Sequence, residues 1–349
     1  MRNLNPSPHG LDEDGDVVRP THILLSIVVP VFNELEAVPL FDTAVRKAVS
    51  SEKNLELEFV FVNDGSQDET LRVLLDLREM CQDVVVVDLS RNFGKEAALT
   101  AGLEHCSGDI IVPMDVDLQD PPELLPKLIE QWRLGFDVVL ARRSSRHNDS
   151  LLKRGCAAAF YRVHNFVAKP GLVENVGDFR LLDRKVVDAL KRLPESHRFM
   201  KGLFAWVGFR HAIVSYERPK RSAGNSKFNG WRLWNLALEG VTSFTTVPLR
   251  VWTYIGFFTA FLSLAYGTYL VLRVVVRGID VPGYASVFVA VVFLGGLQLL
   301  GIGVIGEYLG RTYLESKGRP VYIANKIYGA RHRLRDIPDT NAARQAATL

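Results

Sequence analysis

The chain has 349 residues, of which 48% are hydrophobic and 23% are charged, and its formal net charge is a modest +3. This length and apolar content allow a sizeable core in one large domain or two. The three cysteines are odd in number and include no Cys-x-x-Cys pair, which argues against a disulfide framework and a zinc site. We also expect no nucleic acid partner.

Residues 1–22 are polar, acidic in the middle and contain proline, and they lack the apolar segment of a signal peptide. We therefore predict a disordered leader over residues 1–22. A folded domain is predicted to follow over residues 23–228.

Apolar, β-branched runs alternate with segments of helical periodicity from Ile23 onward. The predicted strands are Ile23–Val29, Leu57–Val62, Val84–Leu89, Ile110–Met114 and Val138–Ala141. The predicted helices between them include Asp68–Leu77, Lys95–Glu104 and Glu123–Leu134. This repetition indicates an α/β fold in which helices cover both faces of a mostly parallel sheet. Ligands bind beyond the carboxyl ends of the strands in such sheets.

A pair of carboxylates lies at the carboxyl end of the fourth predicted strand. Asp115 and Asp117 are two residues apart, so both side chains can turn toward one hard cation. Mg²⁺ or Mn²⁺ held by one or two carboxylates keeps positions open for substrate phosphates. The alternative is a solvated turn at the end of a strand.

Polar loops follow the other predicted strands. Asn33 and Glu34 follow the first strand, and Asn63-Asp64-Gly65-Ser66 follows the second. The second loop has the composition of a tight turn, but it also offers hydrogen bonds to a base and a ribose. The segment 90–95 adds cationic groups and a glycine turn that suit an anion. No glycine-rich phosphate loop follows the first strand, so the sequence lacks the defining feature of an NAD-binding protein or an ATPase.

The second half of the chain has a looser pattern and then becomes apolar. Residues 151–216 suggest helical pieces separated by Gly-Asp and Pro breaks, and residues 229–247 have a tryptophan-containing stripe that predicts an interfacial helix. Two long uncharged runs, 251–272 and 281–306, predict transmembrane helices at 251–276 and 281–309, followed by a tail at 310–349. Basic residues flank both spans, which places both termini and the folded domain in the cytoplasm.

Residues 23 to about 142 resemble the nucleotide-sugar-binding core of glycosyltransferase family 2, which has the GT-A fold. The resemblance rests on Val29-Pro30-x-x-Asn33-Glu34, on Val62 to Ser66 and on the Asp-x-Asp element. Further motifs narrow it to the polyprenyl-phosphate glycosyltransferases, which include dolichol-phosphate mannose synthases and bactoprenol glucosyltransferases. These motifs are residues 115–123, 177–180, 198–202 and 221–228, together with the two C-terminal apolar runs.

The resemblance implies a donor half at about 23–142 and an acceptor half at about 143–228. It places a nucleotide sugar at Pro30, Asn33, Glu34, Asp64, Asn92, Lys95 and Asp115. Mg²⁺ or Mn²⁺ is expected at Asp115, Asp117 and Gln119, and the acceptor phosphate at Arg198, Arg221, Ser226 and Lys227. Asp178 and Asp117 are the expected catalytic residues. For Asp178 the competing interpretation is a helix N-cap before Phe179.

The expected activity is inverting transfer of one sugar to polyprenyl phosphate, with undecaprenyl phosphate as the expected lipid, at the cytoplasmic leaflet of the inner membrane. UDP-glucose is the favoured donor and GDP-mannose the second. A homo-oligomer is also expected from the family. One alternative is a processive polysaccharide synthase, although the chain contains no Arg-Trp pair of the kind that such enzymes carry. The other is a non-catalytic, membrane-anchored sugar-nucleotide binding protein.

Overall fold

The structure is a computed structural model that describes residues 19–143, 173, 176–196, 198, 200–216, 247–277 and 283–329. The strands are β1 Ile23–Val31, β2 Leu55–Asn63, β3 Val84–Leu89, β4 Ile110–Pro113, β5 Val138–Arg143, β6 Val176–Asp183, β7 His211–Tyr216 and β8 Ala324–Tyr328. The helices are α1 Ala37–Val49, α2 Thr70–Met80, α3 Lys95–His105, α4 Leu125–Arg133, α5 Arg184–Lys191, α6 Met200–Trp206, α7 Val247–Arg277 and α8 Tyr284–Ser316. A short 3-10 helix, Pro122–Leu124, precedes α4.

The strands form one sheet in the order β7-β5-β6-β4-β1-β2-β3-β8. Strands β4, β1, β2 and β3 run parallel to one another, as the alternation of strands and helices predicts. The carboxyl ends of these strands therefore meet at one edge of the sheet, where the polar loops follow them.

The second half of the sheet differs from the expected series of parallel strands. β6 lies between β4 and β5 and is antiparallel to both. It comes from a region that we expected to contain helical pieces. Because Phe179, Leu181 and Leu182 are all buried, β6 is apolar on both faces, and a short run of this kind has no periodicity that distinguishes a strand from a helix.

Two apolar layers hold the sheet between helices. Alternate residues of the central strands point to opposite faces: Val29 and Phe61 belong to the layer packed by α1 and α4, whereas Val28 and Val62 belong to the layer packed by α3 and α5. All four of these side chains are fully buried. The two-sided burial explains why the central strands are nearly continuous apolar runs, and it fixes the loops at their ends.

The first described residues contact this core. Arg19 forms ion pairs with Asp183 and Asp137, and its guanidinium lies over the ring of Trp132, 4.5 Å from the ring centroid. Because its side chain is almost wholly buried, this arginine is fixed in place. The contact differs from the expectation of a disordered leader through residue 22.

The two long C-terminal helices, α7 and α8, cover the predicted spans, and α8 continues beyond residue 309 to Ser316. Within the part of the chain that the structure describes, one helical stretch, Phe293–Ser316, is long and apolar enough to cross a membrane. After α8 the chain returns to the sheet as β8, which pairs antiparallel with β3. This strand lies within residues 310–349, which the sequence suggested to be a tail.

Candidate active site

An open pocket of about 340 Å³ lies at the carboxyl ends of β1, β2 and β4. Its walls combine a short apolar surface with acidic and amide side chains and one lysine. The lining residues are Pro30, Val31, Phe32, Glu34, Asp64, Asn92, Gly94, Lys95, Asp115, Val116 and Asp117. The pocket therefore collects polar groups from four separate loops at the edge of the sheet where parallel strands place ligands.

The loops after β1 and β2 are tied together by direct hydrogen bonds. The backbone N–H of Asn33 donates to the Ser66 hydroxyl at 3.0 Å, and the Asn33 side-chain oxygen accepts from the Gln67 N–H at 2.9 Å. Asn33 has a positive φ of 55°, a conformation that asparagine tolerates better than most residues. These bonds hold the loop after β1 against the loop after β2.

The loop after β2 is also held against the loop after β3. The Asp64 carboxylate accepts the N–H groups of Phe93 at 2.7 Å and Gly94 at 3.0 Å. Gly65 has a φ of 67°, and a Cβ at this position would collide with the backbone of Arg91 and Asn92. Any side chain here would push the two loops apart, so glycine is required for their close approach.

Lys95 forms a bridge between two carboxylates that are far apart in the sequence. Its ammonium lies 2.7 Å from Asp115 Oδ1 and 2.9 Å from Asp178 Oδ2. The other oxygen of Asp178, Oδ1, is buried and has no hydrogen-bond partner among the described residues. Asp178 does not line the pocket and is connected to it through Lys95.

The charges around Lys95 determine its protonation state and those of its partners. Burial disfavours the charged lysine, but the carboxylates of Asp178 and Asp115 outweigh it and raise the pKa of Lys95. Burial alone would raise the pKa of Asp178, whereas the charges on Lys95 and Lys201 bring it below its ordinary value. Asp178 is consequently ionised at neutral pH.

Three carboxylates that line the pocket, those of Asp115, Glu34 and Asp64, instead have a raised pKa. Burial raises the pKa of Asp115, which Lys95 only partly offsets. Burial and the charge of Asp117 raise the pKa of Glu34, and burial raises that of Asp64 against the effect of its two backbone donors. A pocket with this surplus of negative charge favours the approach of a cation.

Two family models match the chain. The model "Glycosyl transferase family 2" matches residues 26–191, and "GtrB C-terminal hairpin" matches residues 247–312. A prophage-derived bactoprenol glucosyl transferase of Shigella flexneri is 55% identical over 304 residues, which cover 87% of this chain and 98% of that relative.

The chain belongs to glycosyl transferase family 2.

The prophage bactoprenol glucosyl transferase homolog of Escherichia coli is 53% identical to this glycosyltransferase over 303 residues, covering 87% of this chain and 99% of the relative. Among solved structures, glucosyl-3-phosphoglycerate synthase from Mycobacterium tuberculosis, in complex with Mn²⁺, uridine diphosphate and phosphoglyceric acid, matches with a TM-score of 0.43 and 20% identity. That match covers 63% of this chain and 76% of the synthase chain. Family membership makes this protein an enzyme and agrees with the α/β fold and its parallel central strands.

The structure brings together most of the residues that the sequence predicts for the donor site of this glycosyltransferase. Those that line the pocket are Pro30, Glu34, Asp64, Asn92, Lys95, Asp115 and Asp117. Asn33 is directed instead to the neighbouring loop, as described above. Gln119 is not a lining residue, and its side-chain amide donates to Asp117 Oδ2 at 2.5 Å.

The predicted residues of the acceptor side are described only in part. Arg221, Ser226 and Lys227 lie outside the described residues, as does the predicted interfacial helix apart from residue 247. Arg198 is described, and its guanidinium donates to the backbone oxygens of Leu193 at 2.8 Å and Glu195 at 3.2 Å. These bonds fix the loop before α6.

The helix N-cap interpretation of Asp178 is wrong. Asp178 lies within β6, and the N-cap of the following helix is Asp183, whose side chain accepts the Lys185 N–H at 3.0 Å. The error has a simple cause, because residues 179–182 are apolar and continue the strand into the sheet. Asp178 is thus held at the sheet edge beside Lys95.

Glu96 is a half-buried acid near this site that the sequence analysis did not identify. Burial and the charge of Asp178 raise its pKa to about 7, and its carboxylate accepts the Met200 N–H at 3.2 Å. A sequence signal existed, because Glu96 follows Lys95 in the first turn of α3, where an acid is favourable. The helix position alone, however, gave no indication of its proximity to Asp178.

The raised pKa of Glu96 predicts a pH-dependent effect of Glu96→Gln on stability. Wild type carries the cost of ionising a half-buried carboxylate as the pH rises from 4.5, the ordinary pKa, through about 7. The variant avoids this cost, so its free energy of unfolding relative to wild type should increase by roughly 2–3 kcal/mol between pH 4.5 and pH 8. Thermal unfolding in detergent across that range measures the difference. Glu79→Gln, an exposed change on α2, serves as the control. A difference in the free energy of unfolding between Glu96→Gln and wild type that stays constant from pH 4.5 to pH 8 would contradict the prediction.

Proposed function

We propose that this glycosyltransferase transfers one sugar from a nucleotide donor to a polyprenyl phosphate, with UDP-glucose as the favoured donor and GDP-mannose as the second. The observation that carries the proposal is the pocket in which Asp115 and Asp117 face the loops of Glu34 and Asp64. The relatives at 53–55% identity, which are named bactoprenol glucosyl transferases, support a polyprenyl acceptor and a glucosyl donor.

The pocket also supports a divalent cation. The described residues include no group of three or more His, Cys, Asp or Glu side chains arranged around one point, but Asp115 and Asp117 both line the pocket. Two carboxylates fit Mg²⁺ or Mn²⁺, because either ion is commonly shared between one or two protein carboxylates and substrate phosphates. Asp115 and Asp117 would hold the ion, with Gln119 orienting Asp117. When bound, the cation supplies charge stabilisation to the leaving diphosphate.

The protein's own groups prepare the donor for displacement. The Asp64 and Glu34 loops hold the nucleoside, and the Lys95 ammonium lies beside the carboxylates where the diphosphate would lie. The acceptor is a phosphate monoester with a second pKa of about 6, so its oxygen is already largely ionised at neutral pH. It can attack the anomeric carbon without a strong base. Single displacement inverts the anomeric configuration.

The electrostatics favour Asp178 as an orienting group over Asp178 as a general base. A general base is most effective when its pKa lies near the working pH, and the pKa of Asp178 is below its ordinary value. Its ionised carboxylate holds Lys95 at 2.9 Å. The remaining oxygen, Oδ1, is buried and has no hydrogen-bond partner among the described residues, so Asp178 acts on the donor through Lys95.

The acceptor side of the proposal joins the site to a membrane. Arg221, Ser226, Lys227 and Arg198 are proposed to bind the lipid phosphate. We place α7 and α8 in the inner membrane with the catalytic domain and both termini in the cytoplasm. Exposed apolar side chains support this placement, since Phe257 and Leu264 of α7 are 75% and 73% exposed. A contiguous surface of this kind is stable in lipid rather than in water.

The activity is tested with the full-length enzyme in detergent or vesicles, with undecaprenyl phosphate, Mg²⁺ and sugar-labelled UDP-glucose or GDP-mannose in parallel. We expect label from UDP-glucose in an organic-soluble lipid, and loss of that signal when the divalent cation is chelated. The anomeric configuration of the product, read by NMR, should be opposite to that of the donor. A protein that binds the donor but leaves all label in the aqueous phase contradicts the proposed transfer.

Lys227→Ala is expected to raise the KM for polyprenyl phosphate about tenfold, because it removes a charge-assisted contact with the phosphate. The KM for the nucleotide sugar should change little. Lys220→Ala, which removes a lysine outside the predicted phosphate set, is the matched control. Unchanged acceptor kinetics for Lys227→Ala would remove this residue from the proposed phosphate site.

A further inference from the structure

The C-terminal strand β8 covers the sheet edge formed by β3, and the chain after β3 supplies Asn92, Gly94 and Lys95 to the donor pocket. It pairs with β3 from Val86↔Tyr328 to Leu89↔Ala324, and the register shifts between Asp88 and Leu89. Asp88 pairs with Lys326 and Leu89 with Ala324, which leaves Asn325 as the extra residue of a β-bulge. Bulges commonly redirect a side chain close to an active site.

The Asn325 side chain contacts the buried carboxylate of Asp88, which also accepts a hydrogen bond from Asn63, next to the loop that carries Asp64. Its side-chain amide donates to Asp88 Oδ2 at 2.9 Å, and the Asn63 amide donates to Asp88 Oδ1 at 2.7 Å. The side-chain oxygen of Asn63 then accepts the Ser66 N–H at 3.3 Å. A continuous set of hydrogen bonds therefore connects β8 to the loop that carries Asp64.

Two further contacts hold the segment before β8 against the same region. The backbone N–H of Ser90, at the start of the loop that carries Asn92 and Lys95, donates to the Ile323 carbonyl at 3.0 Å. The Tyr322 hydroxyl donates to Glu104 Oε2 of α3 at 2.5 Å. The chain that leaves α8 is thus fixed to both donor loops, after β2 and after β3.

We propose that Asn325 is a positioning residue for the nucleotide donor, acting through Asp88 and Asn63 on the loop 63–66. The proposal deepens the proposed function and rests on its assignment of the donor to this pocket. It gives the segment after the helical hairpin a role in the catalytic domain, because it completes the support of the nucleotide site from a part of the chain that follows α8.

The two hydrogen bonds that the Asp88 carboxylate accepts can each be disturbed by a single substitution. Asn63 and Asn325 both donate to it, and Asp88 is only 6% exposed, so each amide satisfies one buried oxygen. Asn325→Ala leaves one of these oxygens without its donor. Asp88→Asn keeps the size of the side chain but offers one accepting oxygen to two donors.

The test measures binding of UDP to the full-length enzyme by calorimetry in the presence of Mg²⁺, together with steady-state kinetics. Asn325→Ala should raise the Kd for UDP and the donor KM about fivefold, since it removes one hydrogen bond to a charged group. Asp88→Asn should do the same. For both variants kcat at saturating donor and the KM for polyprenyl phosphate should stay within about twofold of wild type. Lys326→Ala, whose ammonium lies over the Tyr328 ring on the same strand, is the matched control and should bind UDP normally.

A purely structural role for Asn325 predicts a different result. In that case both Asn325→Ala and Asp88→Asn lower the melting temperature, while the Kd for UDP stays within twofold of wild type. This result would overturn the inference. Asp64→Ala separates this failure from a failure of the proposed function. If Asp64→Ala weakens UDP binding and Asn325→Ala does not, only the role of Asn325 is wrong. If Asp64→Ala binds UDP normally, the donor site is misplaced and the inference falls with it.

Discussion

Replacing Asp117 by asparagine is expected to lower the rate of sugar transfer by about 10²–10³-fold, because removing one preorganised group that stabilises developing charge has an effect of this size. Asp117 lines the donor pocket and is exposed, so its replacement leaves the apolar core intact. An asparagine has nearly the same shape but lacks the negative charge that a divalent cation requires. The melting temperature should therefore remain at the wild-type value while transfer collapses.

The measurement is the initial rate of label transfer into lipid, with the concentration of Mg²⁺ or Mn²⁺ varied. Asp76→Asn, an exposed change of the same type on α2, should retain full activity. Excess Mn²⁺ is expected to restore part of the Asp117→Asn activity if the defect lies in cation affinity. Transfer by Asp117→Asn within threefold of wild type, at every cation concentration, would show that Asp117 does not serve the leaving group.

Asp178→Asn is expected to reduce kcat about a hundredfold while nucleotide binding changes little, since the lost charge acts on the reacting groups and on Lys95. The ion pair between Asp178 Oδ2 and the Lys95 ammonium, 2.9 Å long, becomes a bond to a neutral amide. The ammonium is still held by Asp115 at 2.7 Å and stays in the pocket, but Asp178 no longer balances its charge. Steady-state kinetics measure the loss of kcat, and UDP calorimetry measures the affinity for the nucleotide.

The pH profile distinguishes an orienting role of Asp178 from a role as general base. The pKa of Asp178 lies below its ordinary value of 3.8, so the carboxylate is ionised throughout the range from pH 5 to pH 8. Its titration should therefore produce no acid limb in kcat within that range. Asp188→Asn, an exposed change on α5, is the matched control. A wild-type acid limb near neutral pH that disappears in Asp178→Asn would instead assign the base to this residue.

The donor half of the site could be predicted from local sequence patterns. β-branched runs identify the strands, and each polar loop follows a strand directly along the chain, so the order of strands and helices places Glu34, Asp64 and Asp115 at one edge of the sheet. The resemblance to family 2 had the same basis, because its motifs are short and continuous in the sequence.

The contacts that organise this site were not predictable in the same way. Lys95 was expected to contact the nucleotide, but its place between Asp115 and Asp178 depends on β6 lying beside β4. The hydrogen bond from Met200 to Glu96 and the pairing of β8 with β3 also join segments that are distant along the chain. Periodicity indicates which face of a segment is buried, but it does not specify which segment covers that face.

By itself the sequence determined the parallel central strands, the acidic Asp115-Val116-Asp117 element, the long apolar runs and the family. These properties follow from the order of residue types over short distances, where side-chain periodicity and loop composition are sufficient. The tertiary structure alone decided that β6 is inserted antiparallel, that Lys95 joins Asp115 to Asp178, and that Asn325 reaches Asp88 from the far side of the helical hairpin. The reason is physical: strand order and ion pairing are set by the mutual burial of distant segments, which a one-dimensional pattern does not contain.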